Sequence, residues 1–282
     1  VAASVEVEDA LTNFLWELGA LGVVAEARAG RWVLRAFYPA TARPAALQGC
    51  VRDYAASLEA LGFTPPELIH VAPVRDEDWA GAWREHFRPI AVGRRLLITP
   101  PWLPPPPTER RVLRIEPGRA FGTGHHPTTL GCLEALEAVV DEGAPDRALD
   151  LGTGTGILAI AAATLGVRQI LAVDDDPDAV EAAQANVALN GVGDRVSCRL
   201  GDAADLAVEP APLVLANLLA AAHRRLAGHY ARLVAPAGRL VLGGLLEGET
   251  PPLLALLEAL GFGPVGGRSQ DGWTTLTVRR HA

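Results

Sequence analysis

The 282-residue chain contains no lysine and no methionine, and has only three cysteines and few aromatic residues. Without lysine it cannot build a phosphate-binding P-loop, which needs Gly-Lys followed by Ser or Thr. Abundant alanine, glycine and proline beside an all-arginine set of long basic side chains points to codon bias. Cys50, Cys132 and Cys198 are odd in number, far apart and without metal-ligand spacing. They predict reduced, buried thiols rather than a disulfide framework or a zinc site. No uninterrupted apolar run approaches the roughly 20 residues of a membrane span, and no basic segment followed by an apolar one opens the chain. The expectation is a cytoplasmic protein without a membrane partner. A formal charge of −8 disfavours nonspecific nucleic-acid binding and suits a basic partner, although many cytosolic proteins are as acidic.

What is present begins with LDLGTGTGILAIAA, Leu149 to Ala162: an apolar strand, a glycine turn and a small-residue helix. A dinucleotide turn needs G-x-G-x-x-G so that pyrophosphate can approach bare backbone at a helix N-terminus. Here the glycines fall at Gly152, Gly154 and Gly156, and Ile157 holds the third position. Asp150, at the strand end, would repel pyrophosphate but suits an ammonium group, directly or through water. A nucleoside carrying an amino acid therefore fits the turn better than NAD does. Asp174 closes the next apolar run, QILAVD, about 20 positions on, where an acidic residue accepts both ribose hydroxyls. The run after it, from Pro177 to Asn190-Gly191, reads as an amphipathic helix. At this point the chain resembles class I S-adenosylmethionine-dependent methyltransferases.

Length alone predicts one large or two ordinary domains. Up to residue 72, Leu11, Phe14, Leu15 and Leu18 share one helical face, and Leu47, Val51, Tyr54 and Leu58 mark a second helix. Between them GVVAEA and RWVLRAFY read as strands, and ELIHVAPV as a closing strand. This order predicts a ferredoxin-like α/β sandwich whose first strand, in VAASVEV, is short or truncated. Residues 73–110 read as a connector: an acidic-aromatic helix with Trp79 and Trp83 one turn apart, a strand, and the stiff WLPPPP segment. From Arg111 onward strands and helices alternate, which implies a mostly parallel sheet covered on both faces. Residues 111–282 are thus the expected catalytic domain.

Two further stretches narrow the reading. EPGRAFGTGHHPTT, residues 116–129, is too rich in glycine and histidine for a plain connector, and Asn217 ends the strand LVLAN before the helix LLAAAHRRLA. AFGTGHHPTT, DLGTGTGILAIAA, ANLL, the DEDWAGAWREHFRP segment and a C-terminal DGW together resemble the PrmA family, methyltransferases acting on the large-subunit ribosomal protein eleven. The resemblance spans nearly the whole chain. It implies lysine ε-amines, with the N-terminal α-amine as a further acceptor, and S-adenosylmethionine as cofactor. It also implies that Thr129, Gly152, Asp174 and Asn217 contact the cofactor, with Phe121 and Gly122 closing over its methionine end. Asn217 is placed to accept hydrogen bonds from the incoming amine. An enzyme of this kind has its own reason to avoid lysine.

Alternatives stand beside these roles. Asn217 suits a helix N-cap, and Asp150 a turn carboxylate. Asp202, in RLGDAAD, is either the acceptor for the adenine amino group or a solvated loop acid, and Gly154 is part of the cofactor turn. His125 and His126 lack a third ligand at metal spacing, so no metal is expected. Asp175 follows the ribose acid where the family usually carries an apolar residue against adenine. A small-molecule methyltransferase, a PrmA-like enzyme for another protein and a nicotinamide oxidoreductase are the rival functions.

Overall fold

The apolar positions picked out on the first two helices do share a core. In the computed structural model, which describes residues 1–3, 7–28, 31–39, 41–60, 62–66, 70–72, 88–117, 124 and 126–282, the chain divides into two compact units, Val1–Arg84 and Glu85–Ala282. In the first unit, helices α1 (Glu8–Glu17) and α2 (Pro44–Ala60) bury Leu11, Leu15, Val51 and Leu58 together with Leu34. Phe14 and Tyr54 stack with ring centroids 3.9 Å apart. Strand β1 (Ala2–Ala3) pairs antiparallel with β3 (Arg31–Phe37), which pairs antiparallel with β2 (Gly22–Arg28). The truncated first strand is therefore present, two residues long, and the βαββα portion of a ferredoxin-like sandwich is formed. Of the expected closing strand ELIHVAPV, residues 70–72 are described and are not in a strand; 67–69 and 73–74 lie outside the described residues, as do Trp79 and Trp83.

The second unit starts earlier than Arg111. Strands β4 (Ile90–Val92), β5 (Leu96–Thr99) and β6 (Arg111–Arg114) make a small sheet of their own. Its residues Val92, Leu96, Ile98, Leu113 and Ile115 are buried in one cluster with helices α3 (Pro127–Asp141) and α4 (Ile157–Leu165). The hairpin joining β4 to β5 is fastened from α3: the buried carboxylate of Glu137 accepts the backbone N–H groups of Arg94 and Arg95 at 2.9–3.2 Å. The described part of the expected connector is thus built into this unit's core, because its short apolar runs find partners on helices that follow it.

The main sheet has seven strands: β7 (Arg147–Leu151), β8 (Gln169–Asp174), β9 (Val196–Leu200), β10 (Ala211–Asn217), β11 (Val234–Leu246), β12 (Phe262–Gln270) and β13 (Trp273–Arg280). Their order is β12-β13-β11-β10-β7-β8-β9. The five strands from β11 through β9 are parallel, and β13 and β12 add an antiparallel edge. The glycine- and proline-rich FGPVGGRSQ of β12 is tolerated because it is an edge strand. Helices α5 (Pro177–Leu189), α6 (Ala220–Leu233) and α7 (Thr250–Ala259) join α3 and α4 in covering the sheet, with Tyr230, Leu253 and Phe262 buried in the second core. From β7 the chain moves outward through β8 and β9, then returns to β10 on the other side. The order reverses between β7 and β10, and open α/β sheets bind ligands in the crevice beyond the strand ends at such a point. Among the described residues no helix is long and apolar enough to cross a membrane. Of the three thiols, Cys132 is buried, Cys198 is half-buried and Cys50 is exposed on α2, which departs from the expectation of three buried thiols.

Candidate active site

The glycine turn leaves β7 where the sheet order reverses. Gly152, Gly154 and Gly156 take φ values of 68°, 55° and 82°, a region that side chains with a Cβ avoid. Thr153 and Thr155 point inward and are buried, while Gly152 and Gly154 stay half-exposed. The turn is tied to β8 by the N–H groups of Gly152 and Thr153, both donated to Val173 O at 2.8 and 3.0 Å. Gly156 caps α4 in the left-handed conformation.

Asp150 lies beneath the turn, fully buried. Its Oδ2 accepts from Thr153 Oγ1 at 2.6 Å and from Ala159 N at 3.1 Å, while Oδ1 has no hydrogen-bond partner among the described residues. Burial pushes its pKa up to about 6; the Asp174 charge adds to this, and the Thr153 and Ala159 donors oppose it. Asp174 is half-buried at the end of β8. Its Oδ2 accepts Gly154 N at 2.9 Å and its Oδ1 accepts Asp176 N at 3.1 Å. Each carboxylate oxygen has two lone-pair sites, so one on each remains for a diol.

Asn217 ends β10, in parallel register with Gly243 of β11. It is not a helix cap: α6 starts at Ala220 and its N-cap is Leu219, without a side-chain bond. Asn217 Nδ2 donates to Thr129 Oγ1 at 3.4 Å, and its buried Oδ1 has no partner among the described residues. Oδ1 rests over the α-carbon of Gly243, where a Cβ would lie 2.7 Å from it. A Cβ on Gly152 would strike the side chain of Leu218, so the residue after Asn217 packs on the glycine turn. These contacts bring Thr129, Gly152, Asn217 and Gly243 to one place, with Asp150 beneath the turn and Asp174 at its rim.

Helix α3 supplies the remaining wall. His126, its N-cap, accepts from Thr128 N, and its ring lies edge-on to Trp273 of the DGW segment, with centroids 4.9 Å apart. His125, Phe121 and Gly122 lie outside the described residues. Asp202 has a partner on each oxygen: Oδ1 caps a short 3-10 turn through Ala204 N, and Oδ2 accepts Arg225 Nη1 at 2.6 Å. It is a loop acid paired with Arg225 and still partly exposed, and the Arg225 hydrogen bond holds its carboxyl below the usual range. Asp175 is exposed.

Two groups of residues carry no signal strong enough to single them out in the sequence. Asn186 of α5 is buried, accepting Glu116 N at 2.9 Å and donating to Thr155 O at 2.9 Å, so it links the start of the 116–129 segment to the glycine turn. Asn190, one turn on, accepts Arg114 N and donates to Arg114 O. Two asparagines at i and i+4 on a helix are the available signal. The other group is His223 and Tyr230 on α6, buried and 2.8 Å apart.

A parallel sheet reversing at a glycine turn, with an antiparallel edge, is the class I methyltransferase fold. A family model described as Ribosomal protein L11 methyltransferase (PrmA) matches residues 1–281. The chain is 40% identical over 288 residues to the ribosomal protein L11 methyltransferase of Geobacter sulfurreducens, covering 96% of this chain and 93% of that protein. With the protein of the same name from Gloeobacter violaceus it is 38% identical over 274 residues, covering 97% and 84%. The crystal structure of ribosomal protein L11 methylase from Lactobacillus delbrueckii subsp. bulgaricus matches with a TM-score of 0.63 at 29% identity, over 69% of this chain and all of that one. The chain belongs to the ribosomal protein L11 methyltransferase (PrmA) family and is a methyltransferase.

Proposed function

We propose that this enzyme transfers methyl groups from S-adenosylmethionine to lysine ε-amines of ribosomal protein L11, with the N-terminal α-amine as a further acceptor, in the cytoplasm. The observation that carries this reading is the buried Oδ1 of Asn217 at the strand end, which has no partner among the described residues and lies one residue from the contact between Leu218 and the glycine turn. The bound cofactor supplies an electrophilic sulfonium methyl. Gly152 and Gly154 would admit it to bare backbone, Asp174 would accept from its ribose hydroxyls, and the Asp150 oxygen that has no partner among the described residues would take its ammonium group, directly or through water. A lysine amine in water has a pKa of about 10.4, so the site must favour the neutral form. Desolvation in the crevice does so, while Asn217 accepts an amine N–H and thereby aims the nitrogen lone pair away from Oδ1. The proton leaves to water before attack, and orientation carries most of the acceleration.

Mass spectrometry of L11 incubated with enzyme and S-adenosylmethionine tests the proposal, with whole methyl increments on lysine as the expected result. L11 of unchanged mass refutes it. We assign recognition of L11 to residues 1–72, since every residue of the candidate site lies beyond Arg111. Deleting them is expected to leave cofactor affinity within about twofold while abolishing L11 methylation. Full-rate methylation by the shortened chain would remove that assignment.

Asp150 makes cofactor affinity depend on pH. Its folded pKa is raised from the ordinary carboxylate range to about 6. The folded chain therefore holds this proton more tightly than the unfolded one, giving stability that is present below about pH 4 and lost as pH rises through about 6. A cationic ligand favours the ionised form and reverses the preference. Calorimetry with S-adenosylhomocysteine, which keeps the ammonium group, should show affinity rising from about pH 5 to about pH 7 and levelling beyond, with the slope absent in Asp150→Asn. A flat profile in the parent would move the ammonium away from Asp150.

A further inference from the structure

The reading of Asn217 as the amine-orienting residue raises the question of what holds Asn217 itself, and the following inference rests on that reading. Gly243 faces Asn217 across the parallel β10–β11 pair, and its carbonyl accepts two donors. One is the N–H of Leu218 at 3.2 Å, the other a ring nitrogen of His223, Nε2, at 2.8 Å. A carbonyl cannot donate, so Nε2 carries the ring proton and Nδ1 is left to accept the Tyr230 hydroxyl at 2.8 Å. Tyr230 lies two turns further along the same helix, and both side chains are completely buried. The imidazole is locked in one tautomer and one orientation.

The neighbourhood leaves no slack. Gly244, with φ of 78°, presses on the backbone of Leu218, and the Gly243 α-carbon lies directly under Asn217 Oδ1. The Asn217-Leu218 peptide is therefore held from below by one carbonyl, whose direction His223 sets. Burial lowers the pKa of His223 to about 4 against the opposing pull of the Gly243 and Leu218 carbonyls, so the ring stays neutral while the enzyme works. A neutral, tautomer-fixed ring suits a hydrogen-bonding strut and not a proton-transfer group.

We propose that His223 is a positioning residue for methyl transfer: through the Gly243 carbonyl it fixes the strand-end turn that presents Asn217 to the acceptor amine. It touches neither substrate nor cofactor in this assignment.

The test compares four variants of the full chain, measuring kcat for L11 methylation, calorimetric affinity for S-adenosylhomocysteine, and melting temperature. His223→Leu fills the space without a donor and should lose about tenfold or more in kcat, with cofactor affinity within about threefold of the parent. His223→Gln, whose amide can reach Gly243 O, should recover to within about threefold of the parent kcat. If the leucine variant keeps kcat within about twofold, or if the glutamine variant is as slow as leucine at a matched melting temperature, the proposal is overturned. Should the leucine variant fail to fold, Tyr230→Phe decides. It removes only the hydroxyl that fixes the tautomer, and is expected to shift the His223 ring ¹⁵N resonances and lower kcat by about threefold. Unchanged resonances with unchanged kcat overturn the proposal. Asn217→Ala runs alongside: full activity there refutes the underlying reading of Asn217, whereas full activity in the His223 variants alone refutes only the inference drawn from it.

Discussion

Replacing Asn217 by alanine is expected to lower kcat for L11 methylation by about a hundredfold or more and to leave the melting temperature nearly unchanged. The structure separates the two effects. A lost helix cap would cost about 0.5–2 kcal/mol, but Asn217 caps nothing, since α6 starts three residues later behind Leu219. Its bond to Thr129 Oγ1 is long, 3.4 Å, and its buried Oδ1 has no partner among the described residues. Removing an unpartnered buried acceptor relieves a desolvation cost in the free enzyme, which offsets the lost Thr129 bond. An orienting role therefore predicts a slow, well-folded variant. Turnover and melting temperature on one preparation decide, and a destabilised variant with full kcat would refute the orienting role.

For Asp174→Ala, a loss of about 1.5–3 kcal/mol in affinity for S-adenosylhomocysteine is expected, roughly 10- to 150-fold in Kd. Two contributions combine. The ribose loses a charged acceptor, and the turn loses the carboxylate that holds Gly154 N and Asp176 N. Asp174→Asn keeps one acceptor oxygen and should lose less. Calorimetry on the folded variants gives the answer, and an unchanged Kd would place the ribose elsewhere.

The legible parts of this protein are those whose signals are short in sequence. Asp150, Gly152, Gly154 and Asp174 fall within one strand-turn-helix-strand unit, where spacing alone fixes their relation. The helical faces of Leu11, Leu15, Val51 and Leu58 are equally readable, because burial repeats with the helical period. What cannot be read depends on distant partners. Strands β4 and β5 look like part of a connector because they are three and four residues long and a proline-rich segment follows them; that they belong to the core of the second unit depends on packing against α3 and α4. The role of Glu137 arises from backbone groups more than 40 residues away. Asp202 reads equally as an adenine acceptor or a solvated acid, and its partner Arg225 lies 23 residues on with no local pattern to announce it. Whether Asn217 is a cap depends on where the next helix begins, a boundary that apolar periodicity locates only to within a few residues.

The contact between Asn217 and Thr129 spans 88 residues, and the Gly243 beneath Asn217 comes later still. A chain made from the N-terminus outward has the glycine turn and both acidic residues beside it long before β11 exists. The Asn217 side of the crevice is therefore completed after the glycine turn, when β11 adds beside β10, and long-range pairings of this sort form late because loop closure opposes them.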